Sequence, residues 1–532
     1  MNTIYKRMIG CYALAAVMLF VCVLRVVAIV SQDEYSKVAK NESSKVVTLN
    51  FSRGTIFDCN MERITNKKNV IYAVIFNEPS AIASLSQYFS TSQTESIISE
   101  ISSQGFALRT LSRKINVDGI YCFSAFSHAD DSLIAKHTVG YIDSNGKGVC
   151  GIEAAYDSLL SGKSKNTVTF SLDGRGKVLT GERPTLNYDY SKENSGVKLT
   201  IDTKIQQIVE QEAMAIETGA IVVTEIKTGK IRAIVSRPDY KLSDLGSAVE
   251  NPNQPFLNRT LCTYNIGSVF KPYVAAAGYE KGVKDRINCT GYTNIDGLNF
   301  SCHKLSGHGN LELSEALKFS CNSYFYNYIQ KLGAEDVVNL ALRSGFESSI
   351  YLADGLSGRK GSLGKSKTTK LSKRALANFS IGQGELMLSP LAITNFYMAA
   401  ANGGKYRTPS LIEGIVEGLR VKEEKLPAPT KVMSEKTANR IKDDLALVLS
   451  EGGTGESACP TLTTAAGKTG TAQTGVVKNG KKTVNSWFCG FFPFEEPEYA
   501  VTVLWENSSG SVGHIFAAIA DGITLSQAKL KG

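Results

Sequence analysis

The chain has 532 residues, 43% hydrophobic and 20% charged, with a formal net charge of +9. Such a length and balance allow about three packed domains and exclude a disordered or fibrous chain. The basic residues are scattered, with patches such as "KNGKK" at 478–482 reading as solvated hairpin tips. A nucleic-acid binder concentrates Lys and Arg in a stripe interleaved with aromatics, so no nucleic acid is expected as a partner.

Lys6 and Arg7 precede an uncharged run from Met8 to Leu24; Arg25 interrupts it, and "VVAIV" carries the apolar stretch to Val30. About 20 apolar residues cross a bilayer as a helix, and an arginine near one end can snorkel to the interface. Basic residues before the run and "QDE" after it favour an inside N-terminus. The expectation is a cytoplasmic tail at 1–7, a membrane anchor at 8–30 and everything later outside the cytoplasm. A cleaved signal peptide is the alternative, although its apolar core is usually shorter and no small-x-small cleavage site follows.

Residues 31–192 carry short alternating runs such as "KVVTLNF" and "VIYAVIF", with a helical stretch at "QTESIISEIS". They predict a strand-rich N-terminal domain. The polar, turn-rich stretch "DYSKENSGV" at 189–197 is the predicted boundary, leaving 193–532 as a second domain. There, "DTKIQQIVEQEAMAIE" opens on an N-cap Asp202 and has helical periodicity. "GAIVVTEI" and "KIRAIVS" are two apolar strands joined through Lys227, Thr228 and Gly229 at a hairpin tip. Helices are predicted at about 268–281, 314–332, 334–343, 389–402 and 434–449. "SWFCGFFPF" and "YAVTVLWEN" read as strands before a last apolar helix containing "IFAAIADGI". This order predicts an α+β fold, an antiparallel sheet with helices packed around it.

Three stretches could carry chemistry. In "YNIGSVFKPYV", Ser268 and Lys271 are three apart at a helix start, on one face. A helix N-terminus stabilises a serine oxygen as it loses its proton, and a lysine with a lowered pKa can accept that proton. Ser-x-x-Lys also occurs at 301–304, 357–360 and 362–365 in polar contexts without a helix start, so the pattern alone reads as well as a capping serine and a surface lysine. In "KFSCNSYF", Ser320 and Asn322 could relay a proton and bind an amide, or simply cap a helix corner. In "AAGKTGTAQTG", Lys468, Thr469 and Thr471 suit a carboxylate, and Gly470 lets a substrate approach the backbone. A P-loop needs glycine where Leu462 stands, which removes the nucleotide reading.

Ser-x-x-Lys, Ser-x-Asn and Lys-Thr-Gly follow one another at about 50 and then about 150 residues. This ordered set resembles the penicillin-recognising serine transpeptidases and β-lactamases. "GSVFKP", "SCN" and "GKTGTAQTG" look like the transpeptidase branch. "SRGTIFDCNMERIT" and "GVCGIEAAYDSLLSG" are similar to two N-terminal segments of class B penicillin-binding proteins. Arg53, Gly54, Ile56, Asp58 and Asn60 match the first segment, while Cys59 and Met61 depart from it. "YNIGS" departs from the Pro-Gly more usual before the serine.

The resemblance implies the penicillin-binding transpeptidase fold behind an extended N-terminal pedestal, with Ser268 as nucleophile and Lys271 as its base. It further implies Ser320 as a relay to the leaving amine, Asn322 holding the substrate amide and Lys468 supporting the network electrostatically. Thr469, Gly470 and Thr471 would bind the substrate, and the backbone N–H groups of Ser268 and Thr471 would form the oxyanion hole. The implied reaction is D,D-transpeptidation of peptidoglycan stems ending in D-Ala-D-Ala, with β-lactams acylating the same serine. The implied partner is a SEDS-type glycan polymerase in the membrane, and no cofactor is implied. A D,D-carboxypeptidase, or a silent scaffold in a wall-synthesis complex, fits the same motifs.

Eleven cysteines are irregularly spaced, and no CxxC pair points to zinc. Cys289 and Cys302 flank a hairpin-like loop outside the membrane, and a disulfide between them is expected, with two reduced cysteines as the alternative. His308, without a partner at ligand spacing, reads as a loop-packing histidine.

Overall fold

The computed structural model describes residues 2–31, 43–179, 181–189, 192, 195–367, 371–478, 481–508 and 510–531. The "QDE" after the apolar run, residues 190, 191, 193 and 194 of the predicted boundary, and Asn479 and Gly480 of the basic tip lie outside these residues. The chain divides into two compact units, one of Met1–Ser52, Lys68–Ser127 and Gly162–Ser191, the other of Arg53–Lys67, His128–Ser161 and Lys192–Gly532.

Helix α1, Asn2–Ser31, belongs to the first unit. An 18-residue window within its span Thr3–Ser31 has a mean hydropathy of 2.8, and the helix is long and apolar enough to cross a membrane. The rest of that unit is built on an antiparallel sheet in which Lys68–Phe76 lies between Phe106–Leu111 and Ile120–Ser127. Successive residues of the central strand serve opposite faces, as the pleat requires. Ala73 and Ile75 pack with Ile97 and Ile101 of the helix Thr91–Gln104, whereas Val74 and Phe76 pack with Val47, Leu49 and Phe170.

Two N-terminal stretches belong to the second unit, so a single cut after residue 192 does not describe the chain. Long-range pairing is the reason. Thr55–Phe57 pairs in parallel with Ser195–Leu199, which also pairs with Ile412–Glu417.

The second unit is organised by a five-stranded antiparallel sheet of β1 (Gly219–Glu225), β2 (Ile231–Arg237), β3 (Ala466–Lys478), β4 (Lys481–Phe492) and β5 (Tyr499–Trp505), in spatial order β2-β1-β5-β4-β3. β3 is therefore an edge strand. Both faces are covered, which is why β1, β2, β5 and the Trp487–Phe492 part of β4 read as apolar runs. Ile221, Val223, Val501 and Val503 meet Ile205 and Val209 of α2 (Thr203–Glu212) and Phe516 and Ile519 of the C-terminal helix Gly513–Lys531. Val222, Ala500 and Leu504 face the other core, with Tyr273 of α3 (Lys271–Lys281) and Phe396 of the helix Pro390–Ala401. Each fully buried aliphatic or aromatic side chain contributes about 1.5–3 kcal/mol. Asp202 caps α2 by accepting from the N–H groups of Lys204 and Ile205, as its sequence predicts.

The predicted helix 314–332 is two helices, Leu313–Lys318 and α4 (Asn322–Leu332). They are separated at Ser320, whose φ of +50° is left-handed and unfavourable for a residue with a Cβ.

Candidate active site

Ser268 lies in a 3-10 turn, Gly267–Phe270, that runs directly into α3. Residues three apart eclipse in such a turn, which brings Ser268 and Lys271 to one side. Neighbours pin the turn: Tyr397 Oη donates to Val269 O at 3.0 Å and Trp487 Nε1 donates to Asn265 O at 2.9 Å. Gly267 has a φ of +60°, and a Cβ there would lie 2.6 Å from Thr471 O. A glycine is required for the turn carrying Ser268 to sit this close to β3.

Lys271 is completely buried. Its Nζ donates to Ser320 O at 2.6 Å, Ser320 Oγ at 3.1 Å and Asn322 Oδ1 at 2.7 Å. Burial pushes its pKa down to about 7, which makes the neutral, proton-accepting form accessible near neutrality. The thiols of Cys321 and Cys302 oppose that shift. No hydrogen bond joins Ser268 Oγ to Lys271 among the described residues; such contacts often tighten only when substrate arrives.

Lys468, equally buried on β3, is held well below the ordinary lysine range by burial and then by the charge of Lys271. Its Nζ donates to Thr469 O at 3.0 Å. Gly470 faces the turn that carries Ser268, where a Cβ would meet Val269 Cγ1 at 2.8 Å. Ser268, Ser320, Asn322, Thr469, Gly470 and Thr471 line one cavity of about 440 Å³. All eight residues singled out in the sequence thus lie in or directly beneath a single cleft. A wider groove of about 1060 Å³, lined by Tyr279, Arg286, Glu312 and Arg440, contains no serine–lysine pair of this kind.

His303, Thr454, Trp487 and the segment 510–513 also line the cavity and were not singled out. Thr469 Oγ1 donates to Thr454 Oγ1 at 3.3 Å. The glycines around Thr454, in "EGGTGES", were a signal for that residue. Nothing in the local pattern marks His303.

The penicillin-binding protein transpeptidase domain family matches residues 219–524. The chain belongs to this family. Stage V sporulation protein D of Bacillus subtilis is 27% identical over 565 aligned residues, which cover 98% of this chain and 85% of that protein. Peptidoglycan D,D-transpeptidase MrdA of Acinetobacter baumannii is 27% identical over 73% of this chain, and the match spans 62% of that relative's length. The solved structure of penicillin-binding protein PBP2 from Helicobacter pylori superposes with a TM-score of 0.68 at 21% identity, covering 91% of this chain and 99% of that one. PBP3 from Mycobacterium tuberculosis, complexed with aztreonam, gives 0.65 at 22% identity, over 91% of this chain and 97% of the other.

Within the second unit of this penicillin-binding protein, the two N-terminal motifs meet each other. Arg53 Nε donates to Glu153 Oε2 at 2.6 Å, with both side chains buried, and the guanidinium also reaches Asp157 at 2.9 Å. His128 Nε2 lies 2.7 Å from Glu153 Oε1. Desolvation would raise the Glu153 pKa, but His128 and Arg53 outweigh it and hold the carboxylate below its usual range. Asp58 Oδ2 accepts from Thr203 N, tying the first motif to the start of α2. These motif residues support the fold and are not part of the cavity lining.

The disulfide expected between Cys289 and Cys302 is not formed; both are free, buried thiols. His308 does pack, stacking on Phe319 at 5.8 Å between ring centroids. It also places Nδ1 3.6 Å from Cys289 Sγ and 3.7 Å from Cys302 Sγ, which a loop-packing role alone does not explain.

Proposed function

We infer that this penicillin-binding protein is a peptidoglycan D,D-transpeptidase whose acyl-enzyme forms on Ser268. The observation that carries the reading is the buried Lys271, hydrogen-bonded to Ser320 and Asn322 at the base of a cleft that also holds Ser268 and the Lys468–Thr471 strand. Lys271, neutral, takes the Ser268 proton as Oγ attacks the penultimate D-Ala carbonyl of a stem peptide. The oxyanion is received by the N–H groups of Ser268 and Thr471. Ser320 returns a proton to the departing D-Ala amine, and Lys468 keeps the network poised. Asn322 holds the substrate amide, and Thr469 and Thr471 bind the terminal carboxylate. The amine of a neighbouring stem then displaces Ser268 and completes the cross-link. β-Lactams, with a strained amide and a carboxylate, acylate the same oxygen.

The apolar N-terminal helix anchors the chain, with Lys6 and Arg7 on the cytoplasmic side and the second unit outside. A membrane-embedded SEDS-type polymerase supplies the glycan strands that the reaction joins. The test is product analysis with a D-Ala-D-Ala stem peptide and an amine acceptor. Cross-linked dimer is expected. Free D-Ala without dimer would make the chain a carboxypeptidase, and no product would make it a scaffold. Labelled penicillin should modify Ser268, and Ser268→Ala should lower labelling by about 1,000-fold or more; equal labelling of that variant overturns the assignment.

A further inference from the structure

Beside the proton network, four potential soft-metal ligands converge. Cys289 Sγ, Cys302 Sγ, His308 Nδ1 and Cys321 Sγ all lie within 4.8 Å of one another. The Cys302–Cys321 sulfur separation is 3.9 Å, and the two sulfur–nitrogen separations are 3.6 and 3.7 Å. A tetrahedral zinc with Zn–S near ~2.3 Å and Zn–N near ~2.05 Å requires edges of about 3.8 Å between sulfurs and about 3.6 Å between sulfur and nitrogen. We propose that these four residues hold one zinc ion in a closed Cys3His site, which clips the excursion 287–311 onto the turn carrying Ser320 and Asn322.

The backbone prepares the site independently of any ion. Cys289 ends a short strand paired with Gly309, and His308 N donates to Cys289 O at 3.0 Å. Cys302 N donates to Gly291 O at 2.8 Å, holding the second thiol over the first. Cys321 is the N-cap of α4, and its sulfur accepts from Tyr324 N at 3.4 Å. A helix N-terminus stabilises a thiolate there, and the N–H is the outer-sphere donor that zinc thiolates use. The Phe319 ring stacked on His308 fixes the imidazole orientation.

Three thiolates and one imidazole in a tetrahedron select zinc among the common divalent ions, and four protein ligands leave no position for water. Binding releases three thiol protons for each zinc taken up, with no change of oxidation state. The spacing hid the site from the sequence. The ligands are separated by 12, 5 and 12 residues, and the fourth sits inside a motif that already had an assigned role.

The place of the site in the fold gives it a consequence. Cys321 is flanked by Ser320 and Asn322, both held by Lys271. His303, adjacent to Cys302, lines the cleft. The ion therefore positions one wall of the cleft from outside it; this consequence rests on the transpeptidase reading, whereas the metal assignment does not.

The full chain, purified in detergent with reductant and without chelator, should contain about one zinc per chain by mass spectrometry of the metal. Cys302→Ser and Cys321→Ser should contain less than a tenth of that, while Cys459→Ser, an exposed cysteine elsewhere, should keep it. Cobalt exchanged into the wild-type chain should show the thiolate-to-metal charge-transfer band of a tetrahedral site. Should the variants not fold, titrating wild-type thiols with a mercurial in the presence of a chromogenic chelator should release one zinc. A zinc-free wild-type chain overturns the proposal, as does a mass lower by a pair of hydrogens that reduction restores, the mark of a disulfide. Loss of zinc with unchanged penicillin labelling would keep the site and remove its link to the cleft.

Discussion

Lys-Thr-Gly occurs twice in this chain, at Lys227–Gly229 and Lys468–Gly470, once in a turn between two strands of the five-stranded sheet and once within a strand of it. The first lies in the turn between β1 and β2, with Lys227 exposed and Thr228 Oγ1 donating to Glu225 Oε2 at 2.6 Å. The second lies within edge strand β3, with Lys468 wholly buried and Gly470 pressed against the turn that carries Ser268. The same three residues make a surface hairpin in one place and part of the candidate active-site cleft in the other. Desolvation and the neighbours supplied by distant sequence separate them: an ammonium in water is inert, whereas one buried beside a second lysine has its proton affinity at stake.

That contrast can be broken by measurement. Lys468→Ala should slow acylation by labelled penicillin by about 100-fold or more, the scale of removing a positioned electrostatic group, whereas Lys227→Ala should stay within about twofold. Comparable losses in the two variants would show that burial is not what distinguishes the copies. Acylation should also rise with pH through about 7, by about tenfold per unit on the acidic limb, because protonated Lys271 cannot accept the Ser268 proton. A rate flat from acid to neutral pH would remove Lys271 as the base. At the glycines, Gly470→Ala places a Cβ 2.8 Å from Val269 and should reduce acylation several-fold, with about 1–3 kcal/mol lost in stability. Gly229→Ala forces a φ of +74° on a residue with a Cβ and should cost about 1–2 kcal/mol by thermal unfolding, while the folded fraction acylates normally. Smallest of all, Thr228→Val removes the donation to Glu225 and the acceptor of Lys230 N–H, and should lower stability by about 0.5–1.5 kcal/mol without a kinetic effect.

Much of this was legible in the sequence because it is local or ordered. The Asp202 cap, the apolar strands at 219–237 and 487–505, and the succession of Ser268, Ser320 and Lys468 need only short windows or motif order. What stayed hidden depends on pairing across long separations. The parallel match of Thr55–Phe57 with Ser195–Leu199 brings an N-terminal segment into the second unit, and no local periodicity encodes that register. The meeting of Cys289, Cys302 and His308 with Cys321 is hidden for the same reason, since only the folded excursion brings them together. Ser320 was read as a corner between helices, but its left-handed backbone follows from tertiary contacts rather than from its own propensity.

The position of β3 at the end of the sheet order sets how selective the cleft can be. A free strand edge grips a guest through main-chain donors and acceptors, which every peptide and many amide-bearing drugs possess. Discrimination must then fall on the few groups around it, such as Thr469 and Thr471, which line the cavity and in the proposed reaction read a chain-terminal anion. An enzyme built this way is open by design to mimics: any rigid molecule presenting one carbonyl and one acid at the right separation carries the same password as the natural substrate.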